Sequence, residues 1–258
     1  MKKIALITGA SSGIGKELAR IHASKNGDLI LVARRSEELE ILKKELEEKH
    51  AIKVWIFVKD LTSKNAAKEV YEFTKSNQLE VDYLFNNAGF GGHGFFVDRP
   101  IAKDLEMIDL NVIALVELSH LFLQDMKIRK AGKILNTAST AGFLPGPLQA
   151  TYFATKAFVV SFSEALAYEL KPHNISVTAL CPGPVKTEFE KTAGMTGGNL
   201  FEKAASAKST AEKGYRAMEK GKVICISDPI LNVLLRYILP FLPKFIIPGI
   251  VQKMQTIK

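Results

Sequence analysis

The chain has 258 residues, 47% of them apolar and 24% charged, which suits one α/β domain with a sizeable core and excludes a disordered or fibrous protein. Its two cysteines, Cys181 and Cys225, make no disulfide framework, and without CxxC or HExxH motifs a reducing cytoplasm and no structural metal are expected. The net charge is +8, and from Lys203 to Lys258 ten Lys/Arg face three acids; this excess argues against a nucleic-acid-binding body and for one basic C-terminal face.

The chain begins MKKIALITGASSGIG. Its apolar run, IALI, is shorter than the ~7–15 residues of an export signal, so the segment reads as a first β-strand. Further short apolar runs follow at 28–33, 52–58, 81–86, 133–139, 175–180 and 222–226. Amphipathic helical patterns separate them. In SEELEILKKELEEKH (36–50), Ser36 is placed as N-cap and Leu39, Leu42 and Leu46 share one face. Near-continuous apolar strands alternating with helices predict a Rossmann-type, doubly wound parallel sheet of seven strands with helices on both faces. Residues 1–228 read as one catalytic unit, and 229–258 as an apolar, basic extension of it. The stretch 184–221 is longer than an ordinary crossover, contains GMTGGN and is expected to form a lid.

TGASSGIGKELA (8–19) follows the first strand and opens a helix. Gly9, Gly13 and Gly15 allow a tight turn and close approach of the backbone, with Ser11, Ser12 and Ile14 between them, to a pyrophosphate at the helix N-terminus. The second strand ends Ala33-Arg34-Arg35, where an NAD site would carry an acid. Paired guanidinium groups suit a ribose 2′-phosphate, so NADP(H) is the expected cofactor.

In STAGFLPGPLQATYFATK, Tyr152 and Lys156 stand one helical turn apart and Ser139 lies thirteen residues before the tyrosine. A free phenol titrates near ~10 and is a poor acid at neutral pH. A cation on the same helix face favours the phenolate, making Tyr152 a credible acid/base. Ser139, at the end of the fifth strand, stands where open α/β sheets bind ligands, and its hydroxyl can donate to a substrate oxygen as charge develops.

With these features in order, the chain resembles the short-chain dehydrogenase/reductase family over about residues 3–187. The motifs are TGASSGIG (8–15), Asp60-Leu61, Asn86-Asn87-Ala88-Gly89, Asn111, Ser139, the Tyr152/Lys156 pair and PGPVKT (182–187). The resemblance implies a tetrad of Asn111, Ser139, Tyr152 and Lys156, in which Lys156 also binds the nicotinamide ribose and Asn111 keeps a water chain to it. It implies that Asp60 meets the adenine amino group and that Asn87, Ala88 and Gly89 run along the adenosine. Pro182, Gly183, Val185 and Thr187 would lie at the nicotinamide, the last two holding its carboxamide. It further implies a homodimer or homotetramer. The expected activity is reduction of a ketone or aldehyde, or the reverse oxidation of a secondary alcohol. Phe90, Phe95 and Phe96, with Phe143 and Leu144 after Ser139, suggest a hydrophobic small-molecule substrate. His93 reads as incidental, and Cys181 as a buried small residue. An NADP(H)-sensing scaffold without turnover is the alternative, against which the intact tetrad counts.

Residues 229–251, PILNVLLRYILPFLPKFIIPGIV, are long enough to span a bilayer. Prolines 240, 243 and 248 break such a helix, and Arg236 and Lys244 would each cost roughly 2.5–3.5 kcal/mol at mid-membrane. The segment is therefore expected to pack over the substrate cleft or on a subunit partner. The alternative is a peripheral contact at the inner membrane face through Arg236, Lys244, Lys253 and Lys258.

Overall fold

The computed structural model describes residues 2–195 and 204–256. Residues 196–199 of the GMTGGN stretch, Lys203 and Lys258 lie outside the described residues. β1 (Ile4–Thr8), β2 (Asp28–Ala33), β3 (Val54–Val58), β4 (Val81–Asn86), β5 (Gly132–Thr137), β6 (Ile175–Cys181) and β9 (Ile224–Ile226) form one parallel sheet. Its order is β3-β2-β1-β4-β5-β6-β9, so the winding reverses between β1 and β4. All seven strands lie where the apolar runs place them.

The period of two along each strand divides the core. Ile7, Leu29, Leu31, Phe85 and Leu135 face one layer, against α1 (Gly13–Ser24), α2 (Ser36–Lys49) and α8 (Ala207–Glu219). Leu6, Ile30, Val32, Leu84 and Ile134 face the other, against α3 (Ala66–Ser76), α5 (Ala114–Arg129) and the far end of α6 (Ala150–Glu169). Both faces are thus covered, which is why the strands read as unbroken apolar runs rather than alternating ones.

Two sequence expectations change. Ser36 is the first residue of α2, not its N-cap; Arg35 occupies the cap position without a side-chain capping bond, and Glu37 and Glu38 supply negative charge to the first turn. The proposed lid does not extend to 221. Thr210, Ala211, Gly214, Tyr215 and Met218 recur at helical spacing and are buried, so α8 is a core helix that completes the crossover from β6 to β9. Among the described residues before it lie β7 (Val185–Lys186), which pairs with β8 (Ala205–Ser206), and α7 (Phe189–Thr192).

The C-terminal segment is broken as its prolines require. Asp228 caps α9 (Pro229–Val233), accepting from Ile230 N at 2.8 Å and Leu231 N at 2.9 Å. A π-helical turn, Leu234–Ile238, and a 3-10 turn, Leu239–Phe241, lead on to α10 (Ile247–Gln255). Among the described residues no helix is long and apolar enough to cross a membrane. Ile247 and Val251 of α10 instead pack with Tyr152, Phe153 and Met107. The tail covers the C-terminal edge of the sheet.

Candidate active site

The glycine loop is locked to the end of β4. Gly9 has φ +66, and a Cβ there would lie 2.9 Å from Ala88 Cα, so no other residue fits. Thr8 Oγ1 accepts from the backbone N–H groups of Asn87 and Ala88 at 2.9 and 3.0 Å, while Asn87 Nδ2 donates to Thr8 O at 3.0 Å. Gly13, φ +54, opens α1 and faces the Thr187 methyl.

One cavity of about 660 Å³ runs past this loop. Its walls include Gly9, Ser11, Ser12, Gly13 and Ile14; Arg34, Arg35, Asp60 and Leu61; Asn87, Ala88 and Gly89; and Pro182, Gly183, Val185 and Thr187. Gly15 is absent from the walls and packs beneath the loop, against Gly9 O and Asn87 Nδ2. At the end of β2 the two arginines stand beside acids. Arg34 Nη1 is 3.6 Å from Asp60 Oδ2, and Arg35 Nη2 is 2.9 Å from Glu188 Oε2. Arg35 also donates to Ser11 Oγ from Nε at 3.2 Å and Nη2 at 3.1 Å. Arg35 holds the Glu188 carboxyl below its ordinary range. Burial works to raise Asp60, but hydrogen bonds from Thr62 and the charge of Arg34 leave it lowered.

Ser139, Tyr152 and Lys156 share another part of the same cavity. Ser139 caps the 3-10 turn Thr140–Phe143 by accepting from Ala141 N at 3.1 Å. Lys156 Nζ donates to Thr137 O at 2.8 Å and stands 5.8 Å from the Tyr152 ring centre. Only 9% of Tyr152 and 5% of Lys156 is exposed. Burial pushes the phenol up to about 12, opposed by the Ser139 hydroxyl, and pushes the lysine down to about 8.

Asn111 is buried behind this wall. A π-helical turn, Asp109–Ile113, joins α4 (Ile101–Ile108) to α5 and carries it. Its Oδ1 accepts from Phe90 N at 3.1 Å, and its Nδ2 donates to Phe90 O at 3.0 Å and Thr155 Oγ1 at 3.1 Å. Its Oδ1 and Lys156 Nζ both flank Gly89, 2.8 and 3.4 Å from where a Cβ would stand.

Of the apolar residues expected at the substrate, Phe90 and Leu144 line the cavity. Phe143 does not. The 3-10 turn presents Ala141 and Leu144 to the cavity and directs Phe143 into a cluster with Ala138, Val159 and Val160. Phe95 and Phe96, on a loop that points outward, are more than half exposed. His93 has a structural partner, Gln255 O at 2.8 Å, which ties this loop to α10.

Sequence reasoning missed the remaining walls. Phe189 of α7 packs 5.3 Å from Tyr152, centre to centre. Gln149, at the N-cap position of α6, lies three residues before Tyr152, a proximity in sequence that could have signalled it. Leu231, Leu235, Ile247, Val251, Met254 and Gln255 come from the tail. The sequence leads one to expect the tail over the cleft or on a partner, but does not say which of its residues face inward.

A family model for short chain dehydrogenases matches residues 3–196. The chain is similar to a very-long-chain 3-oxoacyl-CoA reductase of Pyrenophora tritici-repentis, 37% identical over 194 residues, 72% of this chain and 56% of that protein. A probable short-chain type dehydrogenase/reductase VdlC of Helicobacter pylori is 34% identical over 190 residues, 74% of this chain and 68% of that one. Thus the match spans little more than half the length of the first of these relatives. Among solved structures, a short-chain dehydrogenase from Sphingobium yanoikuyae in complex with NADPH aligns with a TM-score of 0.84 and 30% identity, covering 90% of both chains.

Proposed function

The chain belongs to the short-chain dehydrogenase/reductase family, and we propose that it transfers a hydride between NADP(H) and a carbonyl/secondary-alcohol pair, reducing a hydrophobic ketone or aldehyde. One observation carries this reading: Ser139, Tyr152 and Lys156 meet in the cavity that also takes in the glycine loop and the apolar tail. In this reading residues 1–228 form the catalytic unit and 229–258 its extension.

The residues present fit a dinucleotide. The Gly9 backbone is left bare by a cradle that any Cβ would fill, and α1 begins at Gly13 with its free N–H groups at the cavity. Ser11, Ser12 and Ile14 would hold the pyrophosphate and Arg34 and Arg35 a 2′-phosphate. Asp60, Leu61, Asn87, Ala88 and Gly89 would follow the adenosine, and Pro182, Gly183, Val185 and Thr187 the nicotinamide. Bound there, the nicotinamide supplies or accepts the hydride. Tyr152 gives its phenolic proton to the carbonyl oxygen, and the Lys156 ammonium stabilises the phenolate left behind. Lys156 also orients the ribose, and Ser139 Oγ donates to the same substrate oxygen. Asn111 holds the Phe90 segment in place beside Lys156.

A panel of ketones, aldehydes and 3-oxoacyl thioesters of increasing chain length, followed by NADPH oxidation, tests this. Burying a methylene is worth about 0.8 kcal/mol, so kcat/KM should climb about fourfold per carbon until the cavity is filled. No oxidation with any member, despite NADPH binding, would instead favour a cofactor-sensing scaffold.

A peripheral membrane contact, in a cytoplasmic setting, is supported by the outer side of the tail. Phe241 and Phe245 are each 84% exposed, beside Ile230 and Tyr237. Arg236, Lys244 and Lys253 stand among them, with no acid between Pro229 and Thr256. Each basic residue near an anionic surface contributes about 1 kcal/mol. The protein should therefore float with anionic vesicles at low salt, and Phe241→Ser/Phe245→Ser should abolish flotation; unchanged flotation would remove the tail as the anchor. A homodimer or homotetramer is also proposed, since Phe158, stacked on Phe162, lies exposed on α6.

A further inference from the structure

Within the apolar part of the cavity stand two buried carboxamides. Gln149, 4% exposed, and Gln255, 8% exposed, both belong to its walls. Gln149 Nε2 donates to Gln255 Oε1 and lies 3.2 Å from Met195 Sδ. Around them the walls are Phe153, Leu239, Ile247 and Val251, which offer nothing polar. The pair is incomplete: Gln149 Oε1 is buried with no donor, and among the described residues Gln255 bonds through its side-chain oxygen alone. Turning both carboxamides over reverses the bond between them and still leaves one acceptor and one donor free. Leaving the Gln149 oxygen unpaired in an apolar cavity is costly, whereas ordinary packing would be served by leucine at either position.

We propose that Gln149 and Gln255 form a polar subsite that selects substrates carrying a hydroxyl group near the reacting carbonyl. A hydroxyl fits because it donates to the free oxygen and accepts from the free N–H at once. Gln149, at the N-cap position of α6, lies three residues before Tyr152 and lines the same cavity, so the hydroxyl sits within a few carbons of the carbonyl. This rests on the carbonyl-reductase reading, and it gives the tail a role in recognition: α10 covers the cavity and also contributes half of the subsite.

The test compares a medium-chain ketone with the same ketone hydroxylated one to five carbons from the carbonyl. Binding is titrated to the NADP+ complex, where no turnover is needed, and kcat/KM is measured with NADPH. At least one hydroxy ketone should bind about 10- to 100-fold more tightly than the plain ketone. That ratio should fall to about one in both Gln149→Leu and Gln255→Leu, with folding checked by retained NADPH binding. A flat ratio in the native protein overturns the subsite, as does a ratio that survives both substitutions. Equal weakening of all ligands by the variants would make the pair a latch only. Selective binding without any NADPH oxidation would sink the reductase reading and leave the subsite standing.

Discussion

Tyr152→Phe should lower kcat for carbonyl reduction by about 10²–10⁴-fold, the usual contribution of a positioned general acid, while NADPH binding is nearly unchanged. The substitution removes one oxygen and keeps the ring, whose packing against Phe153 and Phe189 at 6.1 and 5.3 Å holds that wall of the site. Stopped-flow measurement of the hydride step beside an NADPH titration separates the two effects. A retained rate would refute Tyr152 as the acid. The pH profile supplies a second readout. Burial depresses Lys156 to about 8, so its ammonium is present below that pH and lost above it. Reductive kcat/KM in the native enzyme should accordingly be flat below about 8 and fall above it. Burial keeps Tyr152 protonated up to about 12 in the free protein, so the acid itself does not limit reduction in that range. Alcohol oxidation needs the phenolate and should instead rise with pH.

Arg34→Ala/Arg35→Ala should reduce kcat/KM with NADPH by about 100-fold and leave NADH near its original value. A hydrogen bond to a charged group is worth about 1.5–3 kcal/mol, and two exposed arginines deliver the lower part of the combined range. Their current partners do not compete strongly. The Arg34–Asp60 separation is 3.6 Å, and both side chains are largely open to solvent; the Arg35–Glu188 pair is closer but also exposed. A 2′-phosphate, with up to two negative charges, displaces such pairs readily. Steady-state rates with both cofactors decide the matter, and an unchanged NADPH-to-NADH ratio would refute a phosphate-binding role. Glu188 is the instructive neighbour: removing the arginines leaves its carboxylate facing the phosphate, so the double variant is expected to repel NADPH as well as lose contacts with it.

The strands and the glycine loop were legible because their signals are local. Leu6 and Ile7 are adjacent and feed opposite cores, a pattern any strand buried on both faces must show. Tyr152 and Lys156 were legible for the same reason, being one turn apart. Phe143 was misplaced because apolar character does not say which way a 3-10 turn will aim a ring. The expected lid overruns into α8 because Ala211, Tyr215 and Met218 follow a glycine-rich stretch that obscures their helical period.

What the sequence alone determined, then, is the order of strands and helices, the backbone freedom at Gly9 and the chemistry gathered around Ser139. What only the tertiary structure decided is where the tail goes. Gln149 and Gln255 are 106 residues apart and meet inside one cavity, and His93 joins the same helix from a third segment. No local period encodes such meetings. They follow from which apolar faces remain unpaired once the sheet is wound, and burying the inner side of the tail against Tyr152 and Phe153 is how this chain satisfies them.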